Sequence, residues 1–516
     1  MADFRNSLSR LAAGALLAAS LCTTTAPALA DAEPVWPTAQ WQTSTPEDQG
    51  IDSAVLAKLL EFGSSRGLDS LLVARHGRLV LDAYYAPYTA EIPHAVNSVT
   101  KSVTSTLIAI AIKEGLIVDT SQPVLGFFPD RNPVGVDDRK KAMTLQHLLD
   151  MTSGIEWKEP LANEPPVTMI ELERSTDWVR FILDRPMAAT PGEVFNYNSG
   201  NSHLLSAILS KVTGKSAEAY AQEKLFGPLG ITTWQWRRDP QGISTGGYAL
   251  ALRPRDMAKL GLLFLRRGEW DNRQLAASGW FDRISRATVD MKLPNAPDMR
   301  YSNQFWSWPS HNVYWANGFR CQLIVAYPDV DVVAVVTARD NCNRLVAYIS
   351  EAVKSRQPLP QNPQASAALA SLVHDIAVEK PTDRGVVSPM AAEVSGKVYE
   401  FQRNGLQMKS LALTWSGSQA RYDLELYNRD PRIAAQKVSR PIGLDGLYRR
   451  SDPDGAVVDA TKGKWLNSRT FEIERRSLGA SNPAEKWTLW FDGDTLNLRG
   501  QDRSGRDVSI DSAPAR

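Results

Sequence analysis

Hydrophobic period changes once along this 516-residue chain, and the change falls in a stretch punctuated by Pro358, Pro360, Pro363, Pro381 and Pro389. Before it, apolar residues recur at helical spacing or gather in short β-branched runs. After it they alternate with polar ones, as in Leu411-Ala412-Leu413-Thr414-Trp415, Tyr422-Asp423-Leu424-Glu425-Leu426 and Phe471-Glu472-Ile473-Glu474. Period two buries one face of a strand and period 3.6 one stripe of a helix, so the two halves cannot share one architecture. We therefore read 31–355 as one α/β (α+β) unit and 356–391 as a linker carrying one short apolar helix at 365–378. Residues 392–516 read as a small antiparallel barrel or sandwich. Within it, 487–491, 495–498 and 508–510 are further strands, and Asp492-Gly493 is a hairpin signal.

In the first unit a helical period runs through Val55, Leu59, Leu60 and Phe62. Strands at 70–75 and 78–84 follow, joined as a hairpin at His76-Gly77. Residues 99–113 read as a buried helix ended by Gly115. The segment 140–280 is mostly helical, a subdomain with Pro- and Gly-rich insertions. Strands return over 305–340, and a helix at 345–355 closes the unit. Strands at both ends with helices between them imply a sheet that joins distant parts of the chain.

Charge narrows the classes of partner. Lys+Arg number 58 against 57 Asp+Glu, a net charge of +1. That balance supplies no electrostatic footprint for nucleic acid and no basic block for an anionic membrane. Residues 1–30 read as a cleavable signal peptide. Arg5 and Arg10 flank the charged start, 11–21 is an apolar run, and Ala28-Leu29-Ala30 is a small-x-small cleavage pattern. The expected mature chain is periplasmic or secreted, with no stable membrane anchor. Of the 3 cysteines, Cys22 leaves with this segment. Cys321 and Cys342 remain, either as a disulfide across the open end of a hairpin or as two buried thiols.

Metal and nucleotide chemistry find no support. The 6 histidines form no His-x-x-x-His pair, the cysteines lack ligand spacing, and there is no Gly-x-x-x-x-Gly-Lys loop. Two serine motifs compete. Gly63-Ser64-Ser65-Arg66-Gly67 matches a nucleophile elbow, but an elbow needs a strand before it and a helix after, and here the order is reversed. We read it as a polar helix end. The other, Ser98-Val99-Thr100-Lys101, opens the helix over 99–113, so Ser98 and Lys101 share one face. A helix N-terminus favours a developing alkoxide, and burial lowers a lysine's pKa, which together make an activated nucleophile. Downstream, Tyr197 in Phe195-Asn196-Tyr197-Asn198-Ser199 offers a phenol to shuttle a proton, its pKa lowered by the nearby lysine. Farther on, Ala316-Asn317-Gly318-Phe319-Arg320-Cys321-Gln322 enters a strand whose backbone N–H can face an oxyanion.

With these motifs in this order, residues 41–355 resemble the serine hydrolases of the β-lactamase and penicillin-binding-protein type. That group includes class C β-lactamases, D-Ala-D-Ala carboxypeptidases, carboxylesterases and 6-aminohexanoate-dimer hydrolases. Thr144-Leu145-Gln146-His147-Leu148-Leu149-Asp150-Met151-Thr152-Ser153-Gly154 and Gly246-Gly247 before Arg255-Asp256-Met257-Ala258-Lys259-Leu260-Gly261 add to the likeness. The resemblance implies a β-lactamase/transpeptidase-like fold, an antiparallel sheet flanked by helices, and likens the C-terminal unit to lipocalin-like β-domains. It makes Ser98 the acylated nucleophile, Lys101 its base and Tyr197 the acid/base for leaving group and water. Backbone N–H groups of Ser98 and Phe319 would form the oxyanion hole. Ser199 would bond substrate or Lys101, and Gly318, Arg320 and Gln322 would contact substrate along the late strand. No cofactor is implied. The substrate is a small amide, ester or peptide. Ala316-Asn317-Gly318 departs from lactamases and carboxypeptidases in lacking the usual cation, and Ser199 in place of asparagine, with Gly318-x-x-x-Gln322 on the strand, leans toward the nylon-oligomer and esterase branch. Arg320 is then a displaced positive charge, and Cys321, if inward, narrows the site. The tryptophans Trp157, Trp306, Trp308 and Trp315 line an acyl pocket or pack in the core. The alternative reading is a catalytically silent penicillin-binding-like receptor or scaffold for cell-wall peptide.

Overall fold

The computed structural model describes residues 35–161, 164–340, 345–428, 435–480, 484–502 and 505–516. The signal-peptide reading and Cys342 lie outside the described residues.

A nine-stranded sheet organises the first unit. Towards one rim lies the hairpin Arg78–Tyr84 and Leu68–Arg75, joined through Val332–Ala338 to the central Gln322–Tyr327 and then to Val313–Gly318 and Phe305–Trp308. The ladder is antiparallel except at the rim, where Gln42–Thr43 runs parallel to Arg78–Tyr84. Strands from both ends of this unit thus meet in one sheet, as their positions in the sequence imply. Leu68–Arg75 and Val332–Ala338 are buried along their whole length because both faces are covered.

On one face lie the helices Val99–Lys113, Ser199–Thr213 and Pro254–Leu265. Val99 through Ala111 are all buried, so the first of these is a core helix with no solvent face. Its buried hydroxyls are satisfied across helices and loops: Ser102 Oγ donates to the Gln304 carbonyl at 2.8 Å, Ser105 Oγ to Asn303 at 2.6 Å, and Thr104 Oγ1 to Gly246 at 2.8 Å. The other face is covered by Ser53–Ser65, the short helix Leu345–Ile349 and Pro363–Ala377. The last of these, inside the proline-rich stretch, buries Leu369 and packs on Ser53–Ser65.

The C-terminal unit is all β. A four-stranded sheet (Val398–Glu400, Met408–Ser416, Gln419–Leu426, Gln436–Ile442) faces a six-stranded one running from Arg449–Arg450 to Asp507–Asp511. Bridges at Phe401–Ser512 and Gly443–Lys462 tie the two at both edges. Aromatic side chains fill the space between them, with Trp415, Trp465 and Phe471 in mutual contact. A two-residue turn at Gly493-Asp494 joins Glu485–Asp492 to Thr495–Gln501, with Gly493 at φ +58°. Tyr448, Val458, Ala460 and Leu478 of this unit pack on Tyr88 and Ile92 of the first. Beside them the Gly479 carbonyl accepts the Ala95 N–H at 2.7 Å. The β-unit therefore touches the chain three residues before Ser98. No helix among the described residues is long and apolar enough to cross a membrane.

Candidate active site

Ser98 stands at the N-terminus of the core helix, half-buried, after a left-handed Asn97 (φ +49°). One turn on, Lys101 is only 1% exposed, and its Nζ lies 3.0 Å from Ser98 Oγ. The same ammonium nitrogen reaches Ser199 Oγ at 2.8 Å and the Gly247 carbonyl at 2.9 Å. Gly246 and Gly247 explain themselves here. A Cβ on Gly246 would strike the Ser202 carbonyl, and one on Gly247 would lie 3.2 Å from Lys101 Nζ. Only glycines let this bend pass close enough for a carbonyl to hold the lysine.

Burial lowers the Lys101 pKa to about 8, while the nearby Glu159 carboxylate opposes the change. A lysine in that range is deprotonated in substantial part under mildly alkaline conditions, which a base beside a serine requires. Tyr197 is buried, its phenol hydrogen-bonds Ser98, and its ring lies 4.8 Å from Lys101 Nζ. Its acidity differs from the expectation. Burial, and then Glu159, push the phenol's pKa up, so Tyr197 is held as a protonated donor.

Ser98, Lys101, Tyr197 and Ser199 are thus brought together from the core helix and the start of Ser199–Thr213. Phe319 enters from the sheet. A Cβ on Gly318 would collide with the Val96 carbonyl, so the end of Val313–Gly318 lies directly against the segment before Ser98. Asn97 Nδ2 donates to the Phe319 carbonyl at 2.9 Å and clamps the two segments together. Arg320 follows on the turn, half-buried, with its guanidinium over the Phe319 ring at 5.2 Å. Gln322 is placed differently from the substrate-contact expectation. It is 2% exposed, and its amide nitrogen is spent on the carbonyls of Arg320 (3.0 Å) and Ala338 (2.6 Å), holding the turn. Cys321 does not narrow the site. It is disulfide-bonded and packs into the core on the opposite face of the sheet, with Leu71 and Trp315. The tryptophans are mainly core residues: Trp306 and Trp315 stack at 6.3 Å, and Trp157 is 5% exposed. His147 caps its own helix, accepting the Thr144 N–H at 3.1 Å, and Gly63 to Gly67 form the end of Ser53–Ser65 as expected.

Two residues of the site were not singled out from the sequence. Asn97 is the clamp just described. Glu159 accepts the Ser199 N–H at 2.7 Å, the Ser199 hydroxyl at 2.6 Å and the Trp157 indole N–H at 2.7 Å. The only trace of it in the sequence is a carboxylate in a loop two residues after a buried tryptophan.

The model of the Beta-lactamase family matches residues 56–354, the span that holds every one of these groups. The 6-aminohexanoate-dimer hydrolase of Paenarthrobacter ureafaciens is 25% identical over 259 residues, 46% of this chain and 64% of that protein. The monacolin J acid methylbutanoyltransferase of Aspergillus terreus is 28% identical over 159 residues, 28% of this chain and 38% of that protein. The chain therefore spans less than two thirds of the length of either curated relative. Among solved structures, EstCE1, a hydrolase with promiscuous acyltransferase activity, has the same fold (TM-score 0.50, 17% identity, 59% of this chain and 99% of that one). With more than half of its length matched by the family model, the chain belongs to the Beta-lactamase family.

Proposed function

We propose that the protein is an exported serine hydrolase that cleaves amide or ester bonds of small substrates through an acyl-enzyme on Ser98. The observation that carries this reading is the buried Lys101, its Nζ 3.0 Å from Ser98 Oγ and its pKa brought down to about 8. Ser98 Oγ attacks the carbonyl carbon while its proton passes to neutral Lys101. The oxyanion forms against the backbone N–H groups of Ser98 and Phe319. Tyr197 gives its proton to the departing amine or alkoxide and is reprotonated by the Lys101 ammonium, which restores the neutral base. Water then attacks the ester carbonyl, its proton goes to Lys101, and Ser98 Oγ leaves with that proton. A receptor for cell-wall peptide has no use for a desolvated lysine, since burying the ammonium costs stability and contributes nothing to binding elsewhere. Reading 1–30 as a cleavable leader, we assign the reaction to the periplasm or the outside of the cell.

Intact-mass measurement after exposure to a fluorophosphonate, a fluorescent penicillin and a p-nitrophenyl ester, followed by peptide mapping, tests the reading. We expect an adduct on Ser98 and none in Ser98→Ala. Absence of an adduct from all three reagents would favour the receptor instead.

A further inference from the structure

We propose that Glu159 is a positioning residue that aims the Lys101 lone pair at Ser98, acting through the hydroxyl of Ser199. The inference rests on the serine-hydrolase reading above and follows from counting protons around Lys101 Nζ.

A neutral lysine has two N–H bonds and one lone pair. Three partners surround it: the Gly247 carbonyl at 2.9 Å, Ser199 Oγ at 2.8 Å and Ser98 Oγ at 3.0 Å. The carbonyl can only accept, so it takes one N–H. Ser199 Oγ is free in principle to accept or to donate, because a hydroxyl rotates to suit its neighbours. Glu159 removes that freedom. Its Oε2 receives the Ser199 backbone N–H and the Trp157 indole N–H, two groups that can only donate. Its Oε1, 2.6 Å from Ser199 Oγ, belongs to the carboxylate whose charge acts on Lys101, and it takes the Ser199 proton. Ser199 Oγ must then accept the second N–H of Lys101. The lone pair is left for Ser98, the one neighbour with a proton to give.

The charge has a second effect in the same direction. Glu159 is the one charged side chain among the described residues that acts on Lys101, and it favours the ammonium formed when Ser98 gives up its proton. The other titratable groups facing this cluster are the phenols of Tyr197 and Tyr301, with Asp150 behind Tyr301. Burial holds both phenols in the protonated form, so neither competes for that role.

Glutamine at 159 would reverse the arrangement. The two donors at Oε2 keep an oxygen there, so the new NH2 faces Ser199 Oγ and donates to it. The Ser199 proton then turns to the Lys101 lone pair, which is lost to Ser98. Removing the Ser199 hydroxyl as well removes that competing proton. This predicts an unusual double-variant pattern, measured as the pH dependence of Ser98 acylation by a p-nitrophenyl ester or a fluorophosphonate. Glu159→Gln should slow acylation about hundredfold, in the range of lost acid–base catalysis, and move the acid limb of the profile to lower pH. Glu159→Gln with Ser199→Ala should be faster than Glu159→Gln alone. A double variant no faster than the single one, or an unmoved acid limb, overturns the proposal. If Glu159→Gln does not fold, Glu159→Asp withdraws the carboxylate from Ser199 Oγ, and Ser199→Ala must likewise raise its rate. Wild-type protein that takes no label on Ser98 would instead refute the hydrolase reading, so the two failures are distinct.

Discussion

Lys101 carries a charge where the fold can least accommodate one, and pH should expose what that costs. Its pKa is about 8 in the folded chain, against about 10.4 for a lysine in water. A folded pKa below the unfolded one means that, between these values, the unfolded chain binds more protons, so stability must rise with pH across the window. At about 1.36 kcal/mol per tenfold change, the full difference is worth about 3 kcal/mol. The penalty is present in full below pH 8 and is lifted by pH 10.4. Lys101→Met has nothing to titrate there, while every other group titrates alike in both proteins. Urea unfolding of wild type and Lys101→Met at intervals from pH 7 to 10.5 isolates the lysine. The stability difference should move by about 3 kcal/mol in favour of wild type as pH rises. The acid limb of the wild-type acylation rate should fall near the same pH, since both report one proton. A flat stability difference would show that the folded lysine titrates like a free one. The argument that burial prepares it as a base would then fail.

Two further substitutions probe the supports of Ser98. Asn97→Ala loses the hydrogen bond that its side-chain amide donates to the Phe319 carbonyl and leaves alanine at φ +49° without that compensation, together worth about 2 kcal/mol. We expect kcat/KM to fall roughly tenfold with the acid limb unmoved, because the lysine is untouched; a shifted limb would count against the clamp. Gly479→Val places a β-branched residue at φ +80° with its Cβ against the Pro93 carbonyl, and should push the Gly479 carbonyl off the Ala95 N–H. The melting temperature should drop, by about 2 kcal/mol of stability, and Ser98 labelling should slow several-fold. Unchanged labelling in a destabilised protein would reduce this contact to a structural one.

What was legible in the sequence is what local pattern controls. Val99–Lys113 could be read because its apolar residues surround the whole axis, and Ser98 with Lys101 because i and i+3 share a helix face. The alternating strands were legible for the same reason. Val458–Trp465 was not, since two of its buried positions hold Asp459 and Thr461. Asp459 is admitted to the interior by Arg440 at 2.8 Å and Ser477 at 2.7 Å, partners that only the folded sheet supplies. Gln436–Ile442 was hidden by Pro441, which is tolerated because that strand is the last of its sheet. In the site, the spacing of Ser98 and Lys101 said nothing of Glu159, which reaches Ser199 across 40 positions from a loop without periodicity. Tyr197 was read with the wrong sign because a neighbouring lysine was weighed without the desolvation that outweighs it.

The backbone around the nucleophile shows why a site of this kind escapes local pattern. Asn97, Met151, Arg320 and Cys321 all have left-handed φ (49°, 56°, 56° and 62°), though none is glycine. At about 1 kcal/mol each, they represent about 4 kcal/mol of unfavourable conformation. Each is held from another part of the chain or by its own turn. Asn97 grips the Phe319 carbonyl, and Met151 takes the Asn196 N–H at 2.8 Å on its carbonyl and the Asn198 N–H at 3.3 Å on its sulfur. Gln322 holds the Arg320 carbonyl, and Cys321 is disulfide-bonded. These holders join the segment before Ser98, the loop that carries Tyr197 and the turn that carries Phe319. The strain therefore lies where three stretches of chain converge on one hydroxyl, and it persists because packing over-determines it. Glycine at these positions would relax the backbone but would surrender the side chains that fix the three stretches to one another. Geometry at Ser98 is held by residues that local propensity disfavours, and for that reason a reading built on propensity stops short of them.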